Sequence, residues 1–247
     1  MSPGVPLRSG LFTLFQFVVT PLFAVIALLT FPFAPLTRYR IISNWARLNI
    51  AAVRILCGIR YRVIGREHIP REPCIILSKH QSAWETLAYQ VIFPPQVWVT
   101  KRELLWIPFF GWGLAMLSPI AIDRGAGTRA LKQLLDQGRD RLKRGFSIVI
   151  FPEGTRVAPG QRGKYHPGGA WLAVQTAALV VPVAHNAGQF WRRNAFLKYP
   201  GLITVSIGAP IAPQRMTAEE LNQRAENWIE SETQRISADG DIQNSAA

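Results

Sequence analysis

Cys74-Ile75-Ile76-Leu77-Ser78-Lys79-His80-Gln81-Ser82-Ala83-Trp84-Glu85 joins a short apolar run to a polar cluster, and the rest of the chain reads as serving that junction. A brief apolar run with β-branched residues predicts a buried strand, so Ser78 to Glu85 fall where a strand passes into a loop. Strand ends of that kind are where α/β folds concentrate their chemistry. Imidazole titrates near about 6.5, so His80 can take a proton at neutral pH. Glu85 can fix its tautomer and favour its charged form. The same residues have a local reading, because Ser82-Ala83-Trp84-Glu85 fits a capping box. Both hold at once if a helix starts near Ser82 and leaves His80 outside it, folding back toward the first turn. His68, His80, His166 and His185 are scattered and form no His-Glu-x-x-His pattern, so no metal site is predicted.

A second junction repeats the design. Ser147-Ile148-Val149-Ile150 reads as a strand and runs into Phe151-Pro152-Glu153-Gly154-Thr155-Arg156. A His and a carboxylate with four residues between them, followed downstream by Phe-Pro-Glu-Gly-Thr-Arg, resemble the glycerolipid acyltransferases, the 1-acyl-sn-glycerol-3-phosphate acyltransferase family. Ile122-Asp123-Arg124 resembles the family block that ends in a substrate-binding Arg, and Val181-Pro182-Val183 its late Val-Pro element. The resemblance covers residues 60 to 210 or so. The family usually carries Asp where this chain has Glu85, and the longer carboxylate reaches an imidazole from a backbone set farther away.

The resemblance implies transfer of a fatty acyl group to the sn-2 hydroxyl of 1-acyl-sn-glycerol-3-phosphate, lysophosphatidic acid, giving phosphatidic acid. The implied donor is acyl-CoA or acyl-acyl carrier protein, and no cofactor or metal is called for. His80 is the implied general base and Glu85 the acid that orients it. Arg156 would grip the acceptor phosphate with bidentate hydrogen bonds, Arg124 and Lys101 would add charge, and Gly154 would let backbone approach beside Thr155. Glu153 is expected to orient Arg156 or a glycerol hydroxyl. No Gly-x-Ser-x-Gly elbow occurs and neither cysteine is poised as a nucleophile, so direct transfer without an acyl-enzyme is expected. Three other readings compete. The acceptor can be another lysolipid, such as a lyso-ornithine lipid. A thioesterase would use the same pair with water. A non-catalytic membrane-binding protein would explain the charge but not the two motifs.

The composition agrees with a membrane-surface enzyme. The chain has 247 residues, 49% of them hydrophobic, with a formal net charge of +13 and a pI near 10.7. That length suits one α/β domain with an appendage. The positive excess suggests a polyanionic partner, and the apolar N-terminus favours an anionic membrane surface over nucleic acid, for which no motif occurs. Cys57 and Cys74 lie in apolar contexts, which suits buried free thiols.

Leu11 to Leu36 carries no charge, and 26 helical residues would extend about 39 Å. This stretch is expected to enter the membrane, as a kinked span through Pro21 or as a re-entrant pair of short helices. Arg38, Arg40, Arg47 and Arg54 follow it, so the positive-inside tendency places the catalytic part at the cytoplasmic face of the inner membrane. Residues 1–57 therefore read as anchor and bridging helix, 58–237 as the catalytic domain and 238–247 as a disordered tail. The fold class expected is α/β: a mixed, mostly parallel central sheet flanked by helices, with an N-terminal hydrophobic anchoring helix.

Within the domain, Ile59 to Ile64, Val97 to Thr100, Pro119 to Ile122, Val180 to Ala184 and Leu202 to Ile207 read as further strands. His68 is expected to be an exposed bystander and His185 a structural residue. Leu104 to Leu117, with Trp106, Phe109, Phe110 and Trp112, suits a wall for an acyl chain or a contact with the membrane interface. Thr128 is expected to cap a helix ended by Gly145, and Thr217-Ala218-Glu219-Glu220 to open another. Phe190-Trp191-Arg192-Arg193 mixes aromatics and cations as headgroup contacts do.

Overall fold

A computed structural model describes residues 4–123, 125 and 127–245, with side chains placed as far as residue 238. Among the described residues there are seven strands: β1 Ile59–Ile64, β2 Ile75–Ser78, β3 Gln96–Lys101, β4 Ile120–Ile122, β5 Ser147–Ile150, β6 Val180–His185 and β7 Gly201–Ile207. They form one sheet in the order β1-β7-β6-β2-β5-β3-β4. Every pairing is parallel except β6 with β7. The helices are α1 Gly4–Leu29, α2 Pro35–Ile42, α3 Asn44–Cys57, α4 Trp84–Ile92, α5 Phe110–Met116, α6 Thr128–Lys143, α7 Gly168–Thr176, α8 Ala187–Phe190 and α9 Ala218–Ser245. The molecule is thus an α/β protein with a mixed, mostly parallel sheet flanked by helices.

Both decisive strands lie in the middle of the sheet. β2 and β5 are buried at every position and pair in parallel with Leu77 opposite Ile150. Near-continuous apolar runs of this kind are what a parallel strand covered on both faces requires. Their alternation sets the two helical layers. Leu77 meets α7, where a Cβ on Gly169 would stand 2.6 Å from the Leu77 side chain, so glycine alone lets that helix lie so close. Ser78 points the other way and shares a 2.6 Å hydrogen bond with the Tyr89 hydroxyl of α4. Because the paired strands end together, they deliver the His80 loop and the Phe151–Arg156 turn side by side.

α1 is one continuous helix from Gly4 through Pro21 to Leu29, and the charge-free stretch then turns at residues 30–34 into α2. It is long and apolar enough to cross a membrane. One face is packed on the domain: Lys198 N–H donates to Ser9 Oγ at 3.0 Å, Gln16 to Asn49 at 3.1 Å and the Trp45 indole to Thr20 at 3.3 Å. Phe12 meets the Trp191 ring edge-on at 5.5 Å. The opposite face exposes Leu7, Leu14, Phe17, Val18 and Leu29.

Several local expectations change. Thr128 is the first residue of α6, and Gly127, at φ 52°, occupies the cap position without a side-chain bond. The Thr217 box does form, with Thr217 and Glu220 exchanging bonds of 2.8 and 3.2 Å. His68 is half-buried and not a bystander, its Nδ1 lying 2.8 Å from the Ile207 carbonyl. The backbone of α9 stays helical to Ser245, well into the segment expected to fray.

Candidate active site

His80 stands just beyond β2 with its ring held on two sides. Nδ1 is 2.8 Å from Glu85 Oε1, and the imidazole stacks on the Phe151 ring at 3.9 Å with a 12° tilt. Glu85 accepts the ring proton, so the tautomer carries hydrogen on Nδ1 and leaves Nε2 as the basic nitrogen. Nε2 has no partner among the described residues, and His80 lines a cavity of about 430 Å³. The ring is thus held by Glu85 on one side with its other nitrogen left toward the cavity.

Glu85 is fully buried, and the same Oε1 also accepts the N–H groups of Gln81 at 2.9 Å and Ser82 at 2.7 Å. Ser82 Oγ in turn accepts from Trp84 N–H at 3.1 Å, so the capping role and the orienting role share one carboxylate. Burial alone would push the Glu85 pKa up. The neighbouring His185 ring at 3.9 Å, the hydrogen bond and charge of His80 and the Ser82 N–H outweigh it and hold the carboxyl below its ordinary value. Glu85 is accordingly an anion at neutral pH. His185 is buried at the end of β6, with Nε2 at 2.9 Å from the Lys79 carbonyl and Nδ1 accepting Ala187 N–H at 3.2 Å. Burial, the largest influence, lowers its pKa against the pull of the Glu85 carboxylate, and both ring nitrogens are engaged by backbone groups, as suits a structural residue.

Arg156 lines the same cavity as His80, together with Lys101, Gly154 and Thr155. The two motifs, 76 positions apart by residue number, face one space. Gly154 sits in the left-handed region at φ 68°, which a turn this tight requires of its residue, and its N–H reaches the Phe151 carbonyl at 2.9 Å. The Arg156 guanidinium has no partner among the described residues, while its backbone carbonyl accepts a 3.0 Å bond from Arg193. Arg193 also lines the cavity, which the sequence marked only as part of an aromatic-cationic run. Arg124 lies outside the described residues.

Glu153 is placed differently from expectation. It neither orients Arg156 nor faces the cavity. Its Oε1 is 2.7 Å from Lys79 Nζ and 3.2 Å from Gly163 N–H, and its Oε2 accepts the His80 backbone N–H at 3.0 Å. Its side chain is fully buried. Lys79, which no sequence pattern singled out, is buried as completely.

Away from the polar mouth the cavity is apolar. Phe23 and Ala24 of α1, Leu87 of α4, Trp98 of β3 and Phe110 and Leu114 of α5 line it, which suits a hydrocarbon chain. Among the described residues there is no group of three or more His, Cys, Asp or Glu side chains arranged to hold a metal. Burial pushes the Cys74 thiol up to about 11 and raises that of Cys57 also, and both are free, so neither supplies a thiolate.

The chain is similar in sequence and fold to known proteins. Residues 60–186 match the family model described as Acyltransferase. A 1-acyl-sn-glycerol-3-phosphate acyltransferase of Pseudomonas aeruginosa is 48% identical over 238 residues, covering 94% of this chain and 92% of that protein. The human 1-acyl-sn-glycerol-3-phosphate acyltransferase alpha is 29% identical over 205 residues, covering 78% of this chain and 71% of that protein. The crystal structure of the 1-acyl-sn-glycerophosphate acyltransferase of Thermotoga maritima superposes with a TM-score of 0.78 at 20% identity, covering 94% and 95% of the two chains. With its family model, its near full-length relative and its fold in agreement, the chain is an O-acyltransferase and belongs to the 1-acyl-sn-glycerol-3-phosphate acyltransferase family.

Proposed function

We propose that this enzyme acylates the sn-2 hydroxyl of lysophosphatidic acid to give phosphatidic acid, taking the acyl group from acyl-CoA or acyl-acyl carrier protein. The observation that carries the reading is the shared cavity. One end presents a basic imidazole nitrogen beside an unpaired guanidinium, and the other is apolar. His80 Nε2 takes the hydroxyl proton as the alcohol oxygen attacks the thioester carbonyl. The tetrahedral intermediate then expels the thiolate, which recovers the proton from the imidazolium. Glu85 balances the charge gathered on the ring between those steps. Arg156 and Lys101 hold the acceptor phosphate, with the backbone of Gly154 and Thr155 against it, and Arg124 is assigned there from its motif alone. Product analysis by mass spectrometry, with a panel of lysolipids and each donor in turn, tests the assignment. Phosphatidic acid from lysophosphatidic acid is expected. Preferential acylation of an amino-acid-linked lysolipid, or donor hydrolysis without acceptor, would displace it.

The partner surface is proposed to be anionic lipid at the cytoplasmic face of the inner membrane. The outer face of α1 and the side chains of Trp106, Phe109, Phe110 and Trp112 are exposed, Phe109 and Phe110 also line the cavity, and Arg40, Arg47 and Arg54 are exposed as well. Because α1 is tied to the domain along its length, it lies in the interface with one face in lipid. Aromatic side chains bury about 150–250 Å² each, at about 25 cal/mol per Å². Replacing Trp106 and Trp112 together by Ala is expected to weaken sedimentation with anionic vesicles by about tenfold or more, with turnover of a micellar short-chain acceptor unchanged. Undiminished vesicle binding would remove this surface from the interface.

A further inference from the structure

One fully buried charge takes no part in the reaction drawn above. Lys79 precedes His80 and is sealed from solvent, yet its ammonium is fully provided for. The three protons have three acceptors: Glu153 Oε1 at 2.7 Å, Glu230 Oε1 at 2.8 Å and the Gln161 carbonyl at 3.0 Å. Glu230 comes from α9, 151 positions away in sequence, and the Tyr165 hydroxyl donates to the same oxygen at 2.8 Å. Glu153 then passes the constraint on, because its second oxygen accepts the backbone N–H of His80 at 3.0 Å. His80 is thus fixed twice, at its ring by Glu85 and at its backbone by a chain of charges that begins on α9.

We propose that Glu230 is a positioning residue for His80, acting through Lys79 and Glu153, so that α9 sets the attack geometry without touching substrate. The proposal rests on the assignment of His80 as the base. A buried ammonium that loses one of its two carboxylates must lean on the other. With Glu230 removed, Lys79 recentres on Glu153 and draws that carboxylate off the His80 N–H. A base misplaced by about an ångström can lose as much as about 10²-fold in rate.

The test compares folded Glu230→Ala and Glu230→Gln with the parent, well below each melting temperature, using lysophosphatidic acid and acyl-CoA. Glu230→Ala is expected to lower kcat roughly 10- to 30-fold with both KM values within about twofold. Glu230→Gln keeps an acceptor oxygen for Lys79 and Tyr165 and is expected to recover most of kcat. A brace for stability alone would move the melting temperature and leave kcat of the folded fraction untouched, and that result overturns the proposal. So does a loss confined to KM. Should Glu230→Ala not fold, Tyr165→Phe carries the test, with about threefold lower kcat expected and an unchanged kcat fatal. His80→Ala, assayed alongside, separates two failures. If it is inactive while folded Glu230→Ala is fully active, the α9 brace alone falls. If it is active, the catalytic reading falls and the brace with it.

Discussion

His80→Ala is expected to lower kcat by about 10² to 10⁴, while acceptor binding stays near that of the parent. The ring nitrogen bonded to Glu85 cannot serve the alcohol, so the whole proton transfer falls on Nε2, which faces the cavity unpaired. Truncation to Ala leaves Glu85 Oε1 with the Gln81 and Ser82 N–H groups, so the loop keeps most of its hydrogen bonding and the variant should fold. Its carboxylate, already an anion, then has no imidazolium to balance. Initial rates give the loss, and calorimetric titration of lysophosphatidic acid gives the binding. A folded variant retaining more than about a tenth of parent kcat would deny His80 the role of base.

What the sequence made legible is what local pattern controls. β2 and β5 were readable because each is a short β-branched run ending in polar residues, and parallel pairing then carried the two motifs to one place without further information. The reach of Glu85 was likewise contained in its spacing from His80. The parts that escaped depend on partners distant in the chain. Lys79 looks like any cation in a polar loop, and nothing near it announces Glu230 on α9. Sequence order alone points Glu153 outward, because it sits among cavity-lining residues. Its inward direction follows from the buried ammonium and the His80 N–H waiting beneath the turn. For α1, both faces are apolar, so periodicity could not separate the face packed against Asn49, Trp45 and Trp191 from the one left bare. Thr128 failed as a cap because Gly127 takes the non-helical conformation one residue earlier.

Arg156→Ala separates binding from chemistry in the opposite sense to His80→Ala. Charge-assisted bidentate bonds to a phosphate are among the strongest a side chain makes, and this guanidinium has no competing partner among the described residues. Lys101 is exposed at the same cavity and keeps part of the charge, so the loss should be large but incomplete. KM for lysophosphatidic acid is expected to rise roughly 100-fold, which is about 2.7 kcal/mol, with kcat at saturating acceptor falling far less. Arg156→Lys restores charge without the planar fork and should recover only part of that affinity. Because Arg193 bonds the Arg156 carbonyl and not its side chain, the neighbouring loop keeps its anchor in both variants. Monoacylglycerol, which lacks the phosphate, supplies the control: its weak turnover should be indifferent to either substitution. Equal losses on the phosphorylated and unphosphorylated acceptors would mean that Arg156 shapes the turn and does not hold the anion.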